Sequence, residues 1–92
     1  MLARRLSISG RVQGVGYRES LIHHATSAGL VGWVRNRRDG TVEAWLQGDD
    51  SAVQRAIEWC RRGPPVAGVT HVAAEPVECD GALRDFRRRG TE

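Results

Sequence analysis

Lysine is missing from this chain: all 14 basic residues are arginine, set against 11 acidic residues for a formal charge of +3. A GC-rich genome is the plain explanation, and guanidinium affinity for phosphate or nucleic acid is the functional one. Cysteine is almost missing too. Cys60 and Cys79 each stand alone, with no Cys or His at ligand spacing, which excludes the common zinc patterns. Both thiols are expected to be reduced. No apolar run approaches the roughly 20 residues of a membrane-spanning helix, and Met1-Leu2-Ala3-Arg4-Arg5-Leu6 lacks the apolar centre of a signal peptide. These two absences predict a cytoplasmic protein with no membrane attachment. His23, His24 and His71 have no carboxylate beside them in a catalytic pattern, and no role is assigned to them. Ninety-two residues leave room for one domain, residues 1–92, around one modest core.

What is present is concentrated in one stretch, Gly10-Arg11-Val12-Gln13-Gly14-Val15-Gly16-Tyr17-Arg18. It follows a short apolar strand and runs straight into a helical pattern. Its three glycines let the backbone fold tightly and turn N–H groups toward one point. The helix adds its own unpaired N–H groups and the positive end of its dipole. Arg18, in the first helical turn, adds a planar, permanently charged fork suited to phosphate oxygens. Two familiar phosphate loops do not fit: there is no Gly-Lys-Ser/Thr, and Glu19 stands where a dinucleotide fingerprint needs its third glycine. Spacing alone leaves a tight strand-to-helix connection as an equal alternative.

The loop resembles the signature of the acylphosphatases, Gly-x-Val-Gln-Gly-Val-x-Phe/Tyr-Arg. A second signature of that family, Gly-Trp-Val-x-Asn-x-x-Asp-Gly-x-Val-Glu, is matched by Gly32-Trp33-Val34-Arg35-Asn36-Arg37-Arg38-Asp39-Gly40-Thr41-Val42-Glu43. Two separate motifs at the family's separation make the resemblance specific. Tyr17 is the only mild departure, since Phe is commoner there.

Taken in order, Leu2 to Ser9 alternates apolar and polar residues as a half-buried strand does. Tyr17 to Ala28 reads as a helix with Leu21, Ile22, Ala25 and Ala28 on one face, and Gly29 is placed to end it. Leu30 to Asn36 and Thr41 to Gln47 read as a hairpin about Asp39-Gly40. In its second strand Val42, Ala44 and Leu46 share a face that Trp45 does not. A second helix is capped by Asp49 or Asp50, carries the stripe Val53, Ala56, Ile57, Cys60, and stops at Gly63-Pro64-Pro65. Val69 to Val77 is a fourth strand with weaker alternation, whose far end Pro76 makes an edge or carries out of the sheet, and Leu83 to Arg88 is a short last one. The order is α+β: a ferredoxin-like split βαβ sandwich, β-α-β-β-α-β plus a short C-terminal strand. Right-handed crossovers would place both helices on one face of a mainly antiparallel sheet. Arg35, Arg37 and Arg38, and the run Arg87 to Arg89, read as solvated edge charges.

The resemblance implies hydrolysis of the carboxyl-phosphate bond of a small acyl phosphate. It assigns phosphate binding to Arg18 and to the loop backbone at Gln13, Gly14, Val15, Gly16, Tyr17 and Arg18. It assigns water positioning to Asn36, the sole asparagine of the chain. A neutral amide can accept from a water and donate besides without adding repulsive charge. The implied chemistry uses no metal, cofactor or phosphoenzyme, and a monomer is expected. A non-catalytic anion-binding or regulatory domain is one rival. An RNA-binding module of the same strand order is another, weakened because the first strand has no aromatic residue and the third has only Trp45.

Overall fold

The computed structural model describes residues 1–92. Seven elements follow in chain order: β1 (Leu2–Arg11), α1 (Tyr17–Ser27), β2 (Val31–Asn36), β3 (Val42–Gly48), α2 (Asp50–Arg62), β4 (Gly68–Pro76) and β5 (Phe86–Arg88). The strands form one sheet in the order β4-β1-β3-β2-β5. All pairings are antiparallel except β2 with β5, which is parallel. Both helices contribute to one core over this sheet, the expected α+β ferredoxin-like plan.

Period-two alternation sorts the strand residues. Leu6 and Ile8, Val34, Val42, Ala44 and Leu46, Val72 and Phe86 face the helices and are buried. From α1 come Tyr17, Leu21 and Ala25, and from α2 Ala52, Val53, Ala56, Ile57 and Cys60. The expected stripe of α2 is intact. That of α1 needs correction: Ile22 is half-buried and Ala28 is exposed beyond the helix end, while Tyr17 joins the stripe from the first turn. The Tyr17 hydroxyl donates to the Cys60 carbonyl at 2.7 Å, satisfying a last-turn carbonyl of α2. Burial pushes the Cys60 thiol up to about 12, so it stays a neutral packing group.

β1 runs two residues past the expected Ser9, and Gly10 belongs to it. A register shift lies between Ser9 and Gly10, where a Cβ on Gly10 would sit 2.2 Å from the Gly68 carbonyl oxygen. Gly10 therefore serves the β1–β4 approach rather than the loop that follows. Pro76 ends β4 at the sheet edge, as its missing N–H requires. The last strand is shorter than Leu83–Arg88, because Leu83 closes a turn by donating to the Asp80 carbonyl.

The sheet face away from the helices carries charge that alternation alone would send to water. Glu43 on β3 is buried there. Its carboxylate accepts from Arg35 Nε at 2.7 Å, Arg37 Nη1 at 3.0 Å and Arg5 Nη1 at 3.3 Å. Burial raises its pKa, but the bonds from Arg35 and Arg37 outweigh that and hold it below the usual carboxylate value. Arg35 is thus an interior ion-pair partner, 14% exposed, and not a solvated edge charge.

Candidate active site

Gln13 to Gly16 connects β1 to α1 without regular structure, and its geometry follows from two glycines. Gly14 and Gly16 have φ of 74° and 78°, and a Cβ on either would meet nothing within 4 Å. The glycines are there for backbone conformation, in front of open space. The N–H groups of residues 13–16 donate to nothing in the protein, and those of the first α1 turn have no intrahelical acceptor. Gly16 is the N-cap of α1 and gives no side-chain cap. Arg18 follows in the first turn, half-buried and in no ion pair. A loop of unpaired donors followed by a guanidinium in no ion pair supplies groups suited to an oxyanion.

Asn36 ends β2. Alternation from buried Val34 puts it on the helix-bearing face, the side on which the loop leaves the sheet. Its Oδ1 is the one buried side-chain polar atom with no hydrogen-bond partner. Such an atom is costly to leave unmade and suits a group that receives a donor from a ligand or a water. The loop is joined to this strand end by Gln13, whose Nε2 donates to the Arg37 carbonyl at 2.8 Å and the Thr41 carbonyl at 2.9 Å. Gln13 thereby ties the start of the loop to the residues that follow Asn36.

A family model for acylphosphatase matches residues 4–88 of this chain. The chain belongs to the acylphosphatase family. It is 52% identical over 79 residues to the acylphosphatase of Acidiphilium cryptum strain JF-5, covering 83% of this chain and 87% of that one. Its fold is similar to an acylphosphatase from Bacillus subtilis, with a TM-score of 0.92 and 35% identity, over 97% of this chain and 99% of that chain. An acylphosphatase structure from Coxiella burnetii gives a TM-score of 0.91 and 36% identity, over 96% and 92% of the two chains. The chain is accordingly a hydrolase acting on acyl phosphates, and the likenesses do not favour a non-catalytic anion-binding domain.

In this acylphosphatase the residues singled out from sequence separate into three kinds. Gly14 and Gly16 set the backbone conformation of the loop, Arg18 is half-buried in no ion pair, and Asn36 at the end of β2 leaves a buried Oδ1 without a partner. Tyr17 and Val15 turn inward, Tyr17 into the core and Val15 packed against it. Gln13 directs its side chain to the hairpin, a destination that no spacing rule predicts. Sequence reasoning gave no role to Glu43. The sheet register sets Glu43 directly opposite Arg35, a pairing that alternation along β3 does not reveal. Trp33 shares the open sheet face with Trp45, with ring centroids 6.3 Å apart. The guanidiniums of Arg35 and Arg89 lie 5.0 and 4.5 Å from its ring centre, and Trp33 is buried. No helix is long and apolar enough to cross a membrane.

Proposed function

We propose that the phosphoryl group of the substrate sits against the Gln13–Arg18 loop, held by the backbone N–H groups of residues 13–18 and by the Arg18 guanidinium. Asn36 orients the attacking water. The oxygen–phosphorus bond to water forms as the bond to the acyl oxygen breaks. The acyl group leaves as a carboxylate, and the water's second proton stays with the phosphate product. Carboxylate is a good leaving group, so the protein need supply only positioning and charge stabilisation. The donors tighten as the transferring group flattens and its charge spreads over three oxygens. No metal, cofactor or covalent phosphoenzyme takes part in this scheme.

One observation carries the reading: a buried Asn36 Oδ1 without a partner, on a strand end tied through Gln13 to a loop of partnerless N–H groups. We further propose that the chain acts as a single-domain cytoplasmic monomer and binds no nucleic acid. Two free thiols, one of them the exposed Cys79, suit a reducing compartment. Trp33, buried under two arginines, does not offer the open aromatic platform that base stacking needs.

The test is hydrolysis of benzoyl phosphate in excess chelator by the wild type and two variants. Asn36→Ala should lower kcat by roughly 10²–10³-fold with phosphate inhibition retained. Arg18→Ala should weaken phosphate inhibition and kcat together, by about 10³-fold in kcat/KM for two charge-assisted bonds of about 2 kcal/mol each. Near-normal phosphate affinity in Arg18→Ala would sink the assignment.

A further inference from the structure

We propose that the Gln13 side chain is a positioning residue, which holds the phosphate cradle in register with Asn36. The proposal rests on the water-orienting reading of Asn36. Gln13 is the first residue of the cradle, anchored by Val12, which is 1% exposed in the core. Arg37, whose carbonyl Gln13 contacts, is the residue after Asn36. The two halves of the site therefore meet through one carboxamide.

The hairpin does not need these bonds for its own closure. The Arg37 carbonyl already accepts from Gly40 N–H at 3.1 Å, and the Thr41 carbonyl from Arg37 N–H at 2.8 Å. Gln13 occupies the second lone pair of each. Both bonds link segments rather than satisfy them. Both partners are acceptors, so the amide nitrogen must face them, and a flipped amide would set oxygen against two oxygens. Asparagine would be one methylene too short from the same backbone, and a hydroxyl offers one proton where two are used. On the far side of the sheet Glu43 fixes Arg35 and Arg37, the neighbours of Asn36 in sequence. With the strand end held there, the spacing between cradle and Asn36 is set by Gln13.

Gln13→Met keeps the length and removes both donors. The backbone donors of the cradle are kept, so the inhibition constant of inorganic phosphate should change far less than kcat, and losses of equal size in both would overturn the proposal. Displacement of the water relative to phosphorus should lower kcat by about 10²-fold. The deciding measurement is a double-mutant cycle on benzoyl phosphate hydrolysis, with thermal melts showing that each variant is folded. In the Asn36→Ala background, Gln13→Met should cost nothing further in kcat, because its effect runs through Asn36. The same factor lost in both backgrounds would reduce Gln13 to a loop-packing residue and overturn the proposal. An unchanged kcat in Gln13→Met beside a collapsed Asn36→Ala would overturn the proposal alone. Full activity in Asn36→Ala would overturn the reading of Asn36, and the proposal with it.

Discussion

The two helices start in opposite ways. At α2, Asp49 accepts from the Ala52 N–H at 3.3 Å and from Ser51 Oγ at 2.8 Å. Asp50 meets the N-terminal ammonium of Met1 at 3.1 Å, and Arg61 and Arg62 lie in the last turn. The side-chain charges of Asp49 and Asp50 at its start and of Arg61 and Arg62 in its last turn suit the helix dipole. At α1 the cap is a glycine with φ of 78° and no side-chain bond. Its first-turn acid, Glu19, is engaged by Arg88 of β5, and a guanidinium, Arg18, stands at the positive end of the dipole. An isolated helix would be weakened by both choices. The comparison teaches that α1 is held by its core contacts and by the Tyr17 bond to α2, leaving its start open for an anion. One helix start is finished by the protein. The other is left without a side-chain cap.

Three substitutions would break or sharpen that contrast. The largest effect should come from giving α1 the cap it lacks. Gly16→Asp sets a carboxylate among the free N–H groups, and its repulsion of a phosphoryl group at about 4 Å is worth about 1–4 kcal/mol. Benzoyl phosphate kcat/KM and phosphate inhibition should both fall by roughly 10–100-fold. Unchanged inhibition by phosphate would show that the start of α1 is not the anion site. Next comes the tie between the helices. Tyr17→Phe leaves the Cys60 carbonyl without its donor and should cost about 1–2 kcal/mol of stability by denaturant melts, with kcat unchanged. The smallest effect should come from uncapping α2: Asp49→Ala lowers Tm by roughly 5 °C with no change in kcat. Hydrogen bonds from Ser51 and Ala52 hold the Asp49 carboxyl below its ordinary value in the folded state. Its contribution is therefore present above pH 3.8 and lost as pH falls through the lowered folded value. Wild-type and Asp49→Ala melting curves should converge in acid and separate as pH rises.

Much of this was legible in the chain. The stripe Val53, Ala56, Ile57 and Cys60 repeats at helical spacing because one core face selects it, and Asp39-Gly40 names its own turn. Two motifs brought Arg18 and Asn36 to attention before any fold existed. What was illegible depends on partners distant in sequence. Glu43 sits on the polar side of an alternating strand, and only the folded sheet shows that Arg5, Arg35 and Arg37 close over it. Gln13 reads as one more cradle residue until the hairpin comes beside it. Trp33 looked like ordinary strand content, yet it lies beneath Arg89, near the other end of the chain. Leu83 was expected in a strand because local pattern cannot see that β5 pairs with β2 only from Phe86 onward.

The neighbours of β1 in the sheet have a consequence for how the molecule comes into being. β1 lies between β3 and β4, with Leu6 opposite Ala44 on one side and Ala74 on the other. Its two hydrogen-bonding edges are therefore completed by segments drawn from the middle and the last third of the chain. Few of these pairings can form early from neighbours in sequence, so loop-closure entropy must be met before β1 gains its partners, which slows folding. The loop that follows β1 has no geometry of its own until those distant strands arrive. Phosphate affinity should thus appear in refolding as a late, all-or-none event, in step with closure of the sheet.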